Sequence, residues 1–297
     1  MNIALQVQIG GHSISTLVFG TMRMKIQSPY ADYYALLNNM FERGIDTHHI
    51  SHEYESYALY VKLHQQLRRE NKNFKHITKI AAPDFKDNKF ISKSFEKRID
   101  EELIKLGKNQ LEVVQWMYRM ENFDDQLRLS NFKDEYHAID ATFEKLKKAG
   151  KVLSFGHFPY TPLFADQVAN IGLSSLIITY LNVFELSYQN FAKRLPTIAI
   201  RPFAAGKIGE VLTNDSTIQQ ITNHCKLTEE EVNSCLKLFP LLYPEVKAVI
   251  LSLNNEAQLN DVMNCYNNIT NLKKGRYDFE TIINTINNTV NSLSLIE

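Results

Sequence analysis

The chain has 297 residues, of which 44% are hydrophobic, and its 33 basic and 33 acidic side chains give a formal net charge of zero. This length is within the range of one α/β barrel, and the apolar content is sufficient for a large core without metal or disulfide support. A balanced charge gives no electrostatic reason to bind nucleic acid or an anionic membrane surface, so we expect neither as a partner.

The cysteines and the first residues of the chain bear on its compartment. Cys225, Cys235 and Cys265 form no C-x-x-C motif, and isolated cysteines of this kind are typical of apolar positions in a reducing compartment. The first residues lack the basic segment and the apolar stretch of a signal peptide, and no window approaches the roughly 20 apolar residues of a membrane span. We therefore expect a cytoplasmic protein, whose oligomeric state the sequence leaves open.

The first predicted element along the chain is a β-hairpin. Val7 and Ile9 alternate with glutamines before Gly10-Gly11, and Ile14 resumes the apolar pattern beyond the two glycines. Because glycine tolerates the positive φ of a tight turn, two short strands joined at Gly-Gly are expected here.

Eight strand-like runs follow, and they alternate with amphipathic helical runs. The strand-like runs are rich in β-branched or apolar residues and cover residues 17–22, 45–50, 76–82, 111–117, 152–158, 176–183, 197–203 and 246–253. Between them, apolar side chains recur with the helical period, for example at Phe95, Ile99 and Leu103. Regular alternation of this kind predicts parallel strands joined by right-handed crossovers.

These elements predict an α/β fold of the (β/α)8 TIM-barrel type, with the N-terminal β-hairpin and an extra C-terminal helix over residues 279–295. No linker or change in composition divides the chain, so we expect a single domain over residues 1–297. A doubly wound open sheet is the rival fold. It would place a Gly-rich phosphate turn after its first strand, whereas the segment from Phe19 to Met24 contains only one glycine.

Several motifs, in this order and at this spacing, resemble the aldo-keto reductase family along nearly the whole chain. They are Phe19-Gly20-Thr21-Met22-Arg23 at the first barrel strand, Gly44-Ile45-Asp46-Thr47 at the second, Thr78-Lys79 at the third, Leu111-Glu112-Val113-Val114 at the fourth, Leu146-Lys147-Lys148-Ala149-Gly150-Lys151-Val152 before the fifth and Arg201-Pro202-Phe203-Ala204-Ala205-Gly206 at the seventh.

The resemblance implies hydride transfer between a nicotinamide cofactor and a small carbonyl or alcohol substrate. The family uses a tyrosine as proton donor, a lysine that is paired with an aspartate and lowers the pKa of the tyrosine, and a histidine that orients the carbonyl. Asp46 and Lys79 match the aspartate and the lysine, and we expect them to form a buried ion pair. Ser51 stands five residues after Asp46, where the tyrosine is expected, and Met117 stands in the place of the histidine.

The resemblance also implies cofactor-binding residues at the ends of other strands. These candidates are Gly20, Thr21 and Met22 after the first strand, His157 on the fifth, Asn182 after the sixth, Arg201 and Phe203 at the seventh and Ser252 at the eighth. Arg201 would grip a phosphate or carboxylate, or else pair with Glu185. Residues 249–263, where a 2′-phosphate would require lysine or arginine, contain no basic residue, so NAD is expected rather than NADP.

Residues 48–55 contain three histidines, two glutamates and one tyrosine on the loop after the second strand. Barrel enzymes place their active sites on such loops. Because histidine titrates near neutral pH, we expect His49 or His52 to donate the proton in place of the missing tyrosine. A metal site is a second interpretation, because histidine and glutamate are suitable ligands. No metal is predicted, however, since no other strand end supplies an obvious further ligand except His157. A polar loop without chemistry is the third interpretation.

Two other functional classes stay open at this point. A catalytically silent barrel, or pseudoenzyme, would bind a ligand or a partner protein and would not use a nicotinamide cofactor. A cofactor-free lyase or isomerase would use Lys79 as a base or as a Schiff-base nucleophile.

Overall fold

The computed structural model describes residues 5–87, 89–120, 124–174, 176–275 and 277–293. Its strands are β1 (Gln6–Ile9), β2 (His12–Ser15), β3 (Leu17–Gly20), β4 (Thr47–Ile50), β5 (Lys75–Ala81), β6 (Leu111–Met117), β7 (Val152–Phe158), β8 (Leu176–Tyr180), β9 (Thr197–Ile200) and β10 (Val246–Leu251). Its helices are α1 (Tyr30–Glu42), α2 (Tyr57–Arg69), α3 (Ser92–Leu106), α4 (Asp125–Lys148), α5 (Pro162–Asn170), α6 (Gln189–Ala192), α7 (Lys207–Leu212), α8 (Asp215–Cys225), α9 (Glu229–Lys237), α10 (Glu256–Lys274) and α11 (Phe279–Leu293).

Strands β3 to β10 form a closed parallel barrel, in which each strand pairs with the next and β10 pairs back with β3. The hairpin of β1 and β2 covers the amino end of this barrel. Its turn is Gly10-Gly11, with φ values of +54° and +88° that favour glycine. Ile9 and Ile14 of the hairpin belong to the same buried cluster as the barrel residue Val18.

Side chains of the barrel strands point alternately to the interior and to the surrounding helices, as the pleat of a strand requires. Val18, Ile77 and Val113 form part of the interior cluster, whereas Phe19 and Ile80, each of the opposite phase, pack in the larger cluster on the helix side. This phase decides which polar residues of each strand point into the barrel, and position along the strand decides at which end they lie.

Helix ends agree with the sequence pattern. Gly107 closes α3 in the left-handed conformation with φ +62°, where its amide donates to the carbonyl of Ile104. Gly150 follows α4 with φ +68°. These left-handed residues end each helix and turn the chain back toward the next strand.

The predicted fold class is therefore confirmed, together with the N-terminal hairpin and the C-terminal helix. Strands β6 and β7 have the predicted bounds, and the other six barrel strands differ from their predicted bounds by at most three residues at either end. Helix α11 begins at Phe279 as predicted and packs against α8; the predicted residues 294–295 lie outside the described part. The single domain over residues 1–297 stays a prediction.

Two further findings concern the described residues as a whole. No helix among them is long and apolar enough to cross a lipid bilayer. The three cysteines are free thiols, and Cys235 and Cys265 are buried.

Candidate active site

A cavity of about 1020 Å³ opens at the carboxyl end of the barrel, opposite the hairpin. It is lined by Gly20, Met22, Arg23, Lys25, His49, Tyr54, Lys79, Phe85, Gln115, Met117, Arg119, Phe158, Tyr160, Tyr180, Ile200, Arg201, Pro202, Phe203, Ala205, Gly206, Ile250, Ser252 and Asn254. Since barrel enzymes act at this end of the fold, the cavity is the candidate active site.

His49 is the inward-facing residue near the carboxyl end of β4. Its side chain is buried, and its Nε2 lies 2.7 Å from Oε1 of Gln115 on β6. Burial lowers the pKa of His49 to about 4, and the positive charge of Lys79 acts in the same direction, although the hydrogen bond to Gln115 opposes them. The imidazole is therefore neutral near pH 7.

Tyr54 and Lys79 meet at the same side of the cavity. Tyr54 lies on the loop after β4, and the Nζ atom of Lys79, which projects inward from β5, is 5.4 Å from the centroid of its ring. Burial is the main cause that raises the pKa of Tyr54 well above its usual value, and the nearby charge of Glu53 contributes. The phenol keeps its proton at neutral pH beside an ammonium group.

Glu53 connects three strand ends beneath this pair. Its Oε2 accepts a hydrogen bond of 2.6 Å from Nζ of Lys79 and one of 3.1 Å from Nη2 of Arg119, while Nη1 of Arg119 donates to Oε1. Arg119 also donates to Tyr160 Oη at 2.7 Å and to Asp84 Oδ1 at 3.2 Å. Burial opposes the carboxylate form of Glu53, but the hydrogen bonds from Arg119 and Lys79 outweigh it and lower its pKa to about 2.

The expected ion pair of Asp46 and Lys79 is wrong. Asp46 lies just before β4, at the amino end of the barrel, where its Oδ2 is 2.9 Å from Nζ of Lys75 and its Oδ1 accepts from Gln6 and Thr47. The physical reason is position along the strand. Asp46 precedes the first residue of β4, so the strand carries it away from the end at which Lys79 emerges.

The other candidates on the β4 loop are also dispersed. Ser51 is buried, is not among the residues that line the cavity, and accepts a hydrogen bond from the amide of Glu53 at 3.2 Å. His52 is partly exposed and lies outside the barrel, with Nδ1 3.7 Å from Glu102 of α3. The histidine-rich run therefore does not form one site. Among the described residues, no group of three histidine, cysteine, aspartate or glutamate side chains is placed to hold a metal ion.

The predicted cofactor-binding residues fall into two groups. Those that line the cavity are Gly20, Met22, Arg201, Phe203 and Ser252, and the predicted substitute Met117 lines it as well. Gly20 has a packing role in addition, because a Cβ atom there would lie 2.9 Å from Ile250. Arg201 stacks over Tyr180, 4.3 Å from the ring centroid, and its Nη1 is 3.7 Å from Glu185.

Thr21, His157 and Asn182 do not line the cavity. The hydroxyl of Thr21 donates to the carbonyl of His49 at 3.1 Å, which ties the first loop to β4. His157 has the outward phase of β7 and is buried. Asn182 connects the loop after β8 to the loop after β9, since its Nδ2 donates to the carbonyl of Arg201 at 2.9 Å, while its Oδ1 accepts from two backbone amides of its own loop.

Five residues of the site had no role predicted from the sequence, namely Glu53, Tyr54, Arg119, Tyr160 and Tyr180. For Tyr54 a signal was present, because it stands five residues after His49, which is the spacing that the resemblance requires between aspartate and tyrosine. His49 itself lies three residues further along the chain than Asp46. For Arg119 and Tyr160 no local pattern announces the contacts that they make across strand ends.

A family model described as Aldo/keto reductase family matches residues 16–278 of this chain. Similar solved structures include the holo form of an aldo-keto reductase from Bacillus halodurans, with 13% identity, a TM-score of 0.64 and coverage of 96% of this chain and 95% of that one. Another is an aldo-keto reductase enzyme from a Medee basin deep-sea metagenome library, with 14% identity, a TM-score of 0.64 and coverage of 96% and 94%. At such identities the likeness shows the fold. No curated protein matches the chain significantly.

Proposed function

Since this chain belongs to the aldo/keto reductase family, a family of oxidoreductases, we propose that it reduces a small carbonyl compound with a nicotinamide cofactor and that Tyr54 donates the proton. The observation that carries the proposal is the meeting of Tyr54 and Lys79 in the cavity at the carboxyl end of the barrel. This replaces the expectation that His49 or His52 is the donor.

The three candidate donors differ in what they can give at neutral pH. His52 lies outside the cavity beside Glu102. His49 lies inside it, but with a pKa of about 4 it has no imidazolium proton to give, and its Nε2 is engaged with Gln115. Tyr54 holds a proton. The charge of Arg119 lowers the pKa of Tyr54 against the effect of burial, and the ammonium of Lys79, 5.4 Å from the ring centroid, would likewise stabilise the phenolate that forms as the proton moves to the developing alkoxide.

The cavity fits an anionic dinucleotide in volume and in charge. Among the described residues that line it, five are basic and none is acidic, the five being Arg23, Lys25, Lys79, Arg119 and Arg201. Lys79 and Arg119 share the carboxylate of Glu53, so the charge that faces a ligand comes mainly from the other three. Arg201 and Lys25 would hold the phosphates, while Tyr180 and Phe203 would pack against the rings. When bound, the nicotinamide supplies hydride to the carbonyl carbon.

We propose a preference for NAD over NADP. Residues 249–263 contain no basic side chain, and Ser252 and Asn254 line the cavity where β10 ends. Arg43 reaches the start of α10, but its guanidinium is bound to Glu256, at 3.2 Å, and to Asn260. An added 2′-phosphate would lack a free cation in this segment.

The remaining surface of the cavity suits a small substrate. Met117 and Phe158 form an apolar wall with Ala81, against which Tyr160 and Tyr180 pack. No histidine lies at the end of β6 to orient a carbonyl, so Tyr54 is the principal hydrogen-bond donor to the substrate oxygen. A cytoplasmic location accompanies this proposal, since the three free cysteines suit a reducing compartment.

The proposal is tested in two stages. The protein is first titrated with NADH and with NADPH while nicotinamide fluorescence and melting temperature are followed, and NADH is expected to bind more tightly. Reduction of a panel of small aldehydes and ketones is then compared for wild type and Tyr54→Phe, which is expected to lose at least about 100-fold in kcat with cofactor affinity unchanged.

The matched control is Tyr57→Phe, because the hydroxyl of Tyr57 donates to Glu102 at 2.6 Å on the helix side of the barrel. It should leave kcat within about two-fold. Full activity of Tyr54→Phe together with loss of activity in His49→Gln would overturn the choice of proton donor.

A catalytically silent, ligand-binding barrel is the second candidate. Met117 in the place of the carbonyl-orienting histidine favours it, because a thioether has no proton to donate to a carbonyl oxygen. Binding of neither cofactor, with no change in fluorescence or melting temperature, would select this candidate. A Schiff-base enzyme is less favoured, because its lysine must be an unpaired neutral amine, whereas Lys79 is in an ion pair with Glu53.

A further inference from the structure

We propose that Glu53 is a positioning residue, which holds the ammonium of Lys79 beside Tyr54 and so takes over the task of the carboxylate that β4 lacks. The inference rests on the proposed function, since it deepens the account of the same site. Glu53 is not among the residues that line the cavity, so the role proposed for it is exerted through Lys79.

The first argument is the geometry of the carboxylate. Oε2 of Glu53 lies 2.6 Å from Nζ of Lys79, and Glu53 directly precedes Tyr54 in the chain. One short loop therefore presents both the proton donor and the anion that fixes its neighbouring cation. An ion pair of this length limits where Lys79 can point.

The second argument is that the residues on and before β4 offer Lys79 no other carboxylate. His49, the inward residue on β4, is neutral near pH 7 and binds Gln115, so it offers Lys79 no negative charge. Asp46 is engaged with Lys75 at the amino end. Of the acidic side chains that the structure describes, Glu53 is the one that lies within ion-pair distance of Lys79.

The third argument is that Glu53 is itself held in place. Arg119 donates to both of its carboxylate oxygens, and Asp84 and Tyr160 fix the guanidinium from two other loops. A two-point contact with a planar guanidinium determines the orientation of the carboxylate as well as its position. The contacts of Glu53 and Arg119 therefore join the carboxyl ends of β4, β5, β6 and β7.

The fourth argument is burial. The side chains of Arg119, Lys79 and Glu53 are 9%, 18% and 26% exposed, so solvent screens their interaction less than that of a surface pair. Removal of the carboxylate charge would leave two neighbouring cations that repel each other. Lys79 would then move away from Arg119 and from its position against Tyr54.

The experiment compares kcat and KM for wild type, Glu53→Gln, Lys79→Met and the double variant. Glu55→Gln, at an exposed glutamate two residues further on, is the matched control. Glu53→Gln is expected to lower kcat about 10- to 100-fold with KM for the carbonyl changed by less than about three-fold, and to have no further effect in the Lys79→Met background. Wild-type kcat in Glu53→Gln, or an effect that adds fully to that of Lys79→Met, would overturn the inference.

A second readout does not depend on turnover. The ammonium protons of Lys79 should exchange slowly enough to give a ¹H–¹⁵N signal, assigned by its loss in Lys79→Met. The signal should vanish in Glu53→Gln and persist in Glu55→Gln; persistence in Glu53→Gln would contradict the proposal. If Glu53→Gln does not fold, Glu53→Asp keeps the charge beside Arg119 but cannot span to Lys79, and the same signal should weaken.

The failure of this inference and the failure of the proposed function give different results. If Tyr54→Phe and Lys79→Met retain full activity, the proposed chemistry is wrong. If both lose activity while Glu53→Gln retains it, the chemistry stands and the positioning role of Glu53 is wrong.

Discussion

The two ends of strand β5 carry the same side chain in opposite settings. Lys75, at the amino end, binds Asp46, Gln6 and Ser13 beneath the hairpin. Lys79, four residues later and about 13 Å along the strand, binds Glu53 and faces Tyr54 in an open cavity. Both lysines have the inward phase, so only their position along the strand distinguishes them.

The comparison shows why the same kind of ion pair can have a structural role at one end of a barrel and a functional role at the other. At the amino end the polar groups are used within the chain, because the hairpin closes the barrel and leaves its lysine paired with local partners. At the carboxyl end the loops diverge and leave a cavity. A charged pair at the first end stabilises the fold, and one at the second end is available to a ligand.

Replacement of the two lysines should give the largest contrast. Lys79→Met is expected to lower kcat by about 10²- to 10⁴-fold, since Tyr54 loses the cation that stabilises its phenolate. Lys75→Met should leave kcat within about two-fold and change the free energy of unfolding by about 1 kcal/mol or less. Steady-state kinetics and urea unfolding of both variants provide the measurement. Equal losses of kcat would mean that the two ends do not differ as the structure indicates.

Low pH should destabilise the whole fold, and with it both ends of the barrel, because several histidines of the strands and helices are buried. Burial lowers the pKa of His49, His64 and His157 from 6.5 to about 4. The folded state therefore favours their neutral forms, and this stability is complete above pH 6.5 and is lost as the pH falls toward 4. At pH 5 each of these histidines should lower the free energy of unfolding by about 2 kcal/mol relative to its value above pH 6.5.

Urea unfolding at pH 7.5 and at pH 5 measures this loss. His157→Leu should reduce the difference in the free energy of unfolding between the two pH values by about 2 kcal/mol. An identical pH dependence in wild type and His157→Leu would show that this buried imidazole does not contribute.

Substitutions in the hairpin turn should affect the amino end of the barrel alone, and therefore stability but not catalysis. Gly10→Ala should destabilise the fold by about 1–2 kcal/mol or more, because φ is +54° and the new Cβ would lie 2.5 Å from Oγ of Ser154. Gly11→Ala is the control, since φ is +88° but no atom lies within 4 Å of its Cβ. When Ser154→Ala is combined with each glycine variant, the difference between their free energies of unfolding in urea should become smaller. Neither Gly10→Ala nor Gly11→Ala should change kcat per folded molecule. A difference that Ser154→Ala leaves intact would exclude the clash as its cause.

The fold could be predicted from the sequence because each barrel strand corresponds to a short apolar or β-branched run, and these runs alternate with segments in which apolar residues recur at the helical period. The site could be predicted only in part. Asp46 matched a motif by its letters, yet it lies second in the predicted run 45–50 and therefore at the wrong end of a strand whose carboxyl end bears the site. Strand position and the five-residue spacing from His49 would have identified Tyr54. The contact between Glu53 and Arg119 joins residues 66 apart in the chain, which no local pattern encodes.

The smallest effect is expected for Asp46→Asn, the isosteric counterpart of Glu53→Gln at the other end of the barrel. The side chains of Asp46 and Lys75 are 20% and 25% exposed, much as those of Glu53 and Lys79 are. The difference is that Lys75 alone among the described cations pairs with Asp46, and it keeps Gln6 and Ser13 as partners when the charge of Asp46 is removed. We therefore expect a loss of about 1 kcal/mol or less in the free energy of unfolding, and a kcat within about two-fold of wild type. Parallel kinetics of the two variants provide the measurement. If Asp46→Asn lowered kcat as far as Glu53→Gln, the carboxylate at the amino end would influence the chemistry across the length of β5, and position along the strand would no longer separate structural from functional charge.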